Sequence, residues 1–368
     1  MVYLDHNATT PLRGYVRSKM LEAMDWFGNP SSVHFAGRRA RGLVEEAREF
    51  VGSAFDVPNT GVIFTSGATE SNNMLLKSME QAGYEILFSA IEHPAVSQAC
   101  TNGKAIPVDG NGVVDLESLE KMLAASDTPK VVAVMYANNE IGTRQPIDDV
   151  AKIARKYGAH IHCDAVQGLG KYDLSGYDVD SLAVSSHKIG GPKGAGALIL
   201  KNGTKVSPLM QGGSQERGYR AGTENVAGIA GFGAAVQASR DDDWAGVEAL
   251  RDAMEQRIQS ICPSAVIHAK AVKRLPNTSY ICMPGVDNQI QLMNFDLEGI
   301  CVSTGSACGS SKLKASETLK AMGAPEEERT TGIRISAGPE TTEEDFGQLV
   351  SAWQKLYETR CSLDRTAT

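Results

Sequence analysis

Lys188 stands in the run SSHKIGGPKGAG (185–196), where the apolar stretch SLAV gives way to a glycine-rich turn. Most lysines lie in solvent, so a solvated loop is the ordinary reading of such a residue. Three other clusters change that reading. In HIHCDAVQ (160–167), strand alternation puts His162 and Asp164 on one face and Cys163 on the other, which defeats a contiguous metal cluster. A carboxylate buried at Asp164 then needs a cationic partner, because burying it unpaired is costly. SGATESNN (66–73) is a glycine turn opening a helix, whose free N–H groups and dipole suit a phosphate, with Thr69 and the backbone at Ala68 as donors. Cys308, in VSTGSACGSSK (302–312), lies among serines and glycines, where a thiol is accessible and can react as thiolate.

A phosphate cradle, an acid for a protonated pyridine nitrogen and a lysine at a neighbouring strand end are the three handles that pyridoxal phosphate requires. Lys188 would hold that cofactor covalently, its amine kept nucleophilic by partial desolvation and cationic surroundings. The phosphate cluster lacks the Gly-Lys-Ser/Thr ending of a nucleotide loop, and no Gly-x-Gly-x-x-Gly occurs in the chain.

The elements that must position these residues are short apolar runs: GVIFTS (61–66), EILFSAIEH (85–93), VVAVMYANNE (131–140), HIHCDAVQ, SLAVSSHK (181–188) and GALILKN (196–202). Helical patterns lie between several of them. Ile147, Val150, Ile153, Ala154 and Tyr157 recur at helical spacing, with Pro146 at the start and Gly158 at the stop. Asp115 is placed to cap a second helix through Leu123. Alternating strands and helices predict an α/β fold with a mostly parallel sheet, which binds ligands at the carboxyl ends of its strands. The polar clusters TSGATESNN, EHPAV, ANNEIG, CDAVQ and SSHK each follow an apolar run, so they converge on one site. After about residue 240 the texture changes, beginning with the amphipathic DDDWAGVEALRDAMEQRI. The expected division is a large domain over 13–254 and a smaller one formed by 1–12 and 255–368, which carries the cysteine loop (303–316).

Composition excludes several classes. The 368 residues carry a net charge of −8, and the one basic block, GRRARG (37–42), reads as a solvated helix face, so no nucleic-acid partner is expected. No signal peptide and no run able to cross a bilayer are visible. Seven cysteines at irregular spacing, with no Cys-x-x-Cys, argue for a reducing, cytoplasmic setting rather than a disulfide framework.

The chain resembles the pyridoxal-phosphate-dependent cysteine desulfurases of the fold-type I, class V aminotransferase group. More narrowly, it is similar to the type that serves nitrogenase maturation and general iron–sulfur cluster assembly. The resemblance runs through YLDHNATTP, FGNPSSVH, FTSGATESNN, EHPAV, ANNEIGT, HCDAVQ, SSHKIGGPKG, GGSQERGYRAGTEN, LPNTSY, STGSACGSS and GIRISAG. It implies a large domain with a mostly parallel seven-stranded sheet. It also implies that Lys188 holds the cofactor, Asp164 faces its pyridine nitrogen, His93 stacks on its ring and Gln167 donates to its phenolic oxygen. Ala68, Thr69, Ser185 and His187 match the phosphate positions, and Thr223 matches a phosphate contact supplied by the second subunit of a homodimer. Asn139 and Arg334 resemble the residues that hold the substrate carboxylate, a task suited to the planar guanidinium. Cys308 matches the cysteine that takes sulfur as a persulfide. The implied reaction converts L-cysteine to L-alanine and hands the sulfur to an acceptor such as an iron–sulfur scaffold protein. Ser186 and Ser214 depart from the commonest family pattern, and the tail YETRCSLDRTAT does not resemble the one by which housekeeping members hold their scaffold. Another class V enzyme, an aminotransferase or a selenocysteine lyase, would share Lys188 and Asp164 without needing Cys308.

Overall fold

The computed structural model describes residues 1–304 and 315–366. The chain opens with β1 (Val2–Tyr3) and then builds a seven-stranded sheet from β2 (Val62–Thr65), β3 (Glu85–Ser89), β4 (Lys104–Ile106), β5 (Lys130–Ala133), β6 (His160–Asp164), β7 (Ser181–Ser185) and β8 (Gly196–Leu200). Its strand order is β2-β8-β7-β6-β5-β3-β4. All pairings are parallel except the two that β8 makes with β2 and β7. Every residue of β5, β7 and β8 is buried, as strands covered on both faces require.

Helices α1 (Gly14–Met24), α2 (Phe35–Ser53), α3 (Ala68–Gln81), α4 (Pro94–Ser97), α5 (Leu116–Ala124), α6 (Ile147–Lys156) and α7 (Val226–Ala238) accompany this sheet. Asp115 caps α5 by accepting from the N–H groups of Glu117 and Ser118, as its position predicts. Pro146 precedes α6, whose first turn carries Asp148 and Asp149 against the helix dipole. Arg38, Arg39 and Arg41 are exposed on α2, the solvated face expected of that basic block. Two features differ from the sequence reading. The run 131–140 leaves the ladder after Ala133, because the Asn138 side chain accepts from Glu140 and Ile141 and folds the chain into a turn. The seventh strand is the short edge segment Lys104–Ile106, which carries no alternating pattern.

The remaining elements are α8 (Trp244–Ile261), β9 (Val266–Ile267), β10 (Thr278–Cys282), α9 (Asn288–Leu297), β11 (Ile300–Cys301), α10 (Glu317–Ala321), α11 (Glu326–Thr331), β12 (Gly332–Ser336) and α12 (Glu343–Thr366). A second apolar core gathers Val247, Met254 and Ile258 of α8 with Phe295, Ile333, Ile335 and Trp353. Val2 and Leu4 belong to it, because β1 pairs with β11. The N-terminal segment then crosses to the large sheet, where Thr10 N–H donates to the His187 carbonyl.

One clamp holds the segment after β8. Arg48 on α2 grips the Glu216 carboxylate through two hydrogen bonds of 2.7 and 2.8 Å, and Glu216 also accepts from the Phe64 N–H of edge strand β2. Both charged groups are buried, and Glu216 and Arg217 take left-handed backbone angles (φ 44° and 56°). Backbone strain of this kind persists only where surrounding contacts over-determine it.

Candidate active site

The ends of β2, β3, β5, β6 and β7 bring the predicted residues to one edge of the sheet. At the first of these, Gly67 precedes α3, and no side chain caps that helix, so the N–H groups of Ala68 and Thr69 are left to an outside acceptor. Gly196 of β8 lies directly beneath: a Cβ there would meet the Gly67 Cα at 2.6 Å, which makes glycine obligatory. Ser185 ends β7 with its Oγ facing the same turn, 3.8 Å from where a Gly67 Cβ would sit. Arg220 donates to Glu70 in the first turn of α3 at 3.0 Å, tying down the stretch that carries the exposed Thr223. Burial opposes the Glu70 charge, yet the hydrogen bonds from Arg220 and Ser66 hold its pKa below the usual range.

Asp164 ends β6, buried, with Oδ2 accepting from Asn72 Nδ2 at 2.7 Å and Oδ1 from the Val166 N–H at 3.1 Å. Among the described residues its hydrogen bonds come from neutral groups, which leaves the buried acid suited to a cation. Asn72 also bonds His162 through Oδ1, at 2.8 Å, so both face-sharing residues of the strand meet one side chain. Burial pushes the His162 imidazole down to about 3, so the ring is neutral. Its Nε2 carries the proton donated to Asn72, whose amide nitrogen is committed to Asp164. Glu92 is pushed well above the carboxylate range by burial and then by Asp164, and its Oε1 accepts from Met135 N–H. Replacing Asn72 with alanine should leave Asp164 and His162 short of a buried partner. A loss of about 1–3 kcal/mol in unfolding free energy is expected, read by urea denaturation, together with weaker cofactor retention on dialysis.

Lys188 sits in the single 3-10 turn after β7, half-buried, with Nζ on the carbonyls of Asn7 (2.6 Å) and Ala8 (2.8 Å). Gln167 donates to the same Asn7 carbonyl at 3.1 Å, while its buried Oε1 has no partner among the described residues. His93 caps α4, accepting the Ala95 N–H on Nδ1 at 3.0 Å. Burial lowers its pKa, with Asp164 pulling it up and Lys188 pushing it down. The neutral ring therefore bears its proton on Nε2. His187 bonds Thr9 Oγ1 at 3.1 Å and is pushed down to about 4 by burial, Lys188 and Lys193. An uncapped helix start, an unpaired acid and a half-buried lysine, with an orphaned amide oxygen beside them, fit pyridoxal phosphate.

Arg334 of β12 is 2% exposed; it bonds Asp5 at 2.5 Å and the Asn139 carbonyl at 3.2 Å, and its buried Nε has no partner among the described residues. Asn139 thus stands beside it, while the guanidinium is paired with the Asp5 carboxylate. Both stems of the cysteine loop end here. Ser303 pairs with the Arg334 backbone, and Ser316 Oγ donates to Glu140 at 2.7 Å. Cys308 itself lies outside the described residues.

The pattern of the family described as aminotransferase class-V matches residues 2–349. The chain belongs to that family. Its relatives include the cysteine desulfurase IscS of Dictyoglomus turgidum, 41% identical over 97% of this chain and 94% of that one, and a cysteine desulfurase of Cereibacter sphaeroides, 39% identical over 95% and 94%. Among solved structures, a NifS-like protein from Rickettsia africae superposes with a TM-score of 0.90 at 38% identity, covering 97% of this chain and 99% of the other. A structure titled SspA in complex with cysteine matches at 26% identity and TM-score 0.81, over 93% and 100%. Class V enzymes with this core are pyridoxal-phosphate enzymes, and pyridoxal phosphate is the cofactor here.

Two residues of this class V site escaped the sequence reading: Asn72 and Asn7. Asn72 lies inside the quoted SGATESNN, one turn into α3, and helical spacing from the phosphate turn was the available signal. Asn7 acts mainly through its carbonyl, which no side-chain pattern reports.

Four imidazoles, His162 and His268 buried and His6 and His187 half-buried, also set a pH response. Burial pushes His6, His187 and His268 down to about 4, and His162 to about 3, all from 6.5. Between those values the unfolded chain holds more protons than the folded one, so stability should be full above about pH 6.5 and fall as pH drops towards 4. Urea midpoints measured from about pH 7 down to pH 5 should decline; a flat profile would contradict the neutral-imidazole reading.

Proposed function

We propose that this cysteine desulfurase converts L-cysteine to L-alanine and takes the sulfur on Cys308 as a persulfide, for onward transfer to an acceptor in iron–sulfur cluster assembly or another thiolation route. The observation that carries the reading is the link made by Asn7, whose carbonyl receives Lys188 Nζ and whose amide donates to the Asn139 carbonyl that Arg334 also bonds, with Ser303 and Ser316 of the Cys308 segment's stems tied to Arg334 and Glu140.

Bound pyridoxal phosphate supplies an electron sink that makes the substrate Cα proton removable. Asp164 balances the pyridinium charge, with Asn72 fixing its carboxylate. Ala68, Thr69, Ser185 and His187 receive the phosphate, the neutral His187 as a donor. His93 presents a neutral ring to the cofactor face, and Gln167 keeps one amide N–H for the phenolic oxygen. Arg334 and Asn139 orient the substrate carboxylate. Lys188 Nζ would hold the cofactor and, as a free amine, would accept the substrate Cα proton. Cys308 thiolate attacks the substrate sulfur; the carbon–sulfur electron pair passes to the carbon as the sulfur–sulfur bond forms, and a proton taken up at Cβ with the Cα proton returned from Lys188 completes alanine. A thiol with a pKa near 8.5 needs only modest help to ionise.

The working unit in this reading is a cytoplasmic homodimer with two domains per chain, 13–254 and 1–12 plus 255–368. Leu21 and Met24 on α1, with Phe27, Val33 and Phe35 just beyond, form an exposed apolar run suited to a second copy. Thr223, exposed within its own chain, would complete the partner's phosphate cup. No helix among the described residues is long and apolar enough to cross a membrane. The test is the purified protein with L-cysteine. Equal yields of alanine and thiol-releasable sulfur are expected. Cofactor-loaded protein that makes no alanine from cysteine would move the reading to an aminotransferase.

A further inference from the structure

The segment between β8 and α7 is anchored more firmly than its own exposure explains. Of residues 211–224, Glu216 is the one that is buried; the others are exposed or half-buried. The Arg48 and Glu216 side chains are 3% and 2% exposed. Besides gripping Glu216, the Arg48 guanidinium donates to the Val62 carbonyl at 2.9 Å and lies 4.7 Å from the centroid of the Phe64 ring. Arg217 donates to the same carbonyl at 2.6 Å. A buried ion pair adds little net stability; its best-attested use is to impose one arrangement on the chain. Here it imposes two successive left-handed residues, a conformation that is unfavourable outside glycine.

The arrangement leads to Thr223. Beside Glu216, the Gln215 side chain reaches along the segment, and its Oε1 accepts the Gly222 N–H at 3.1 Å. Gly222, at φ 98°, takes a backbone angle that favours glycine and hands the chain to Thr223. Arg220 ties the same turn to Glu70, which also accepts from the Ser66 N–H at 2.7 Å. A continuous set of bonds therefore runs from Arg48 through Glu216, Gln215 and Gly222 to the exposed Thr223. Arg48 belongs to α2, whose first residue, Phe35, is part of the exposed apolar run suited to a second copy. The helix that would meet a second copy thus also anchors the segment that would reach into it.

We propose that Arg48, Glu216 and Gln215 are positioning residues that hold Thr223 for the cofactor phosphate of a second copy of this chain, so that each chain's clamp serves the other chain's site. This rests on the reading of Thr223 as a phosphate contact supplied across a homodimer.

The experiment measures the pyridoxal phosphate concentration that half-saturates borohydride-fixed cofactor. Glu216→Gln and Gln215→Ala homodimers should need about tenfold more or beyond, the scale of one lost hydrogen bond to a charged group, as should Thr223→Ala. Gln215→Ala leaves the ion pair intact, so it decides should Glu216→Gln fail to fold. Mixed dimers, co-expressed with two affinity tags, then place the effect. In the first, one chain carries Lys188→Ala with Gln215→Ala and the other is wild type. The one site able to fix cofactor receives the altered segment, and its affinity should fall. In the second, the two changes sit on different chains, the competent site receives an intact segment, and affinity should match wild type. A clamp that merely stabilises its own chain gives the reverse pattern. That reversal, or wild-type affinity in the Gln215→Ala homodimer, would overturn the proposal. Thr223→Ala in the same arrangements separates the two claims. If it binds cofactor as wild type does, or if the protein is monomeric, the cross-chain reading itself fails. If it weakens the first arrangement alone while the Gln215 and Glu216 variants match wild type, only the role of the clamp fails.

Discussion

Replacing Lys188 with alanine should lower alanine formation from L-cysteine on the order of 10³-fold or more and leave the cofactor removable by dialysis. The magnitude follows from the two tasks the proposal gives this side chain, holding the cofactor and handling the Cα proton; loss of an essential base alone costs about 10²–10⁴ in rate. The structure gives little scope for a substitute. Lys188 Nζ is fixed on the carbonyls of Asn7 and Ala8, whereas Lys171 is tied to the Gln167 carbonyl. Alanine and sulfide assays beside the visible spectrum check both halves; a variant that keeps a borohydride-stable cofactor adduct would sink the assignment.

Cys308→Ala should separate sulfur transfer from cofactor binding. Persulfide and sulfide should fall on the order of 10³-fold, the scale on which removing one essential group acts. The cofactor spectrum and its response to added cysteine should stay, since Lys188, Asp164 and Arg334 are untouched. Retained alanine production at the wild-type rate would instead favour an aminotransferase or a selenocysteine lyase, which does not need this thiol. Anchors at Ser303 and Ser316 explain why the effect should be this local: the loop begins on the Arg334 backbone and ends on Glu140, beside Asn139.

Much of this site was legible before any coordinates, because strand ends carry their chemistry in short polar clusters. His162 and Asp164 share a face as alternation requires, Asp115 caps α5, and Lys188 falls in the turn after β7. Other parts were not. Helix α7 is apolar and small on all sides, so it has no stripe to read. It lies so tightly on α2 that a Cβ at Gly233 would meet the Ala47 Cα at 2.6 Å. The Arg48–Glu216 clamp joins residues 168 positions apart, and neither local sequence announces the other.

Asn7 has a bearing on how the pocket is born. Its backbone N–H reaches Ser336, its amide reaches Thr278 and the Asn139 carbonyl, and its own carbonyl receives Lys188. Two residues earlier, Asp5 meets Arg334. Asp5 and Asn7 thus wait for partners made 329 positions later, and these contacts cannot form until translation has passed β12. Contacts of such sequence separation form slowly. A nascent chain halted before residue 332 would own its central sheet and still be unable to seat a substrate.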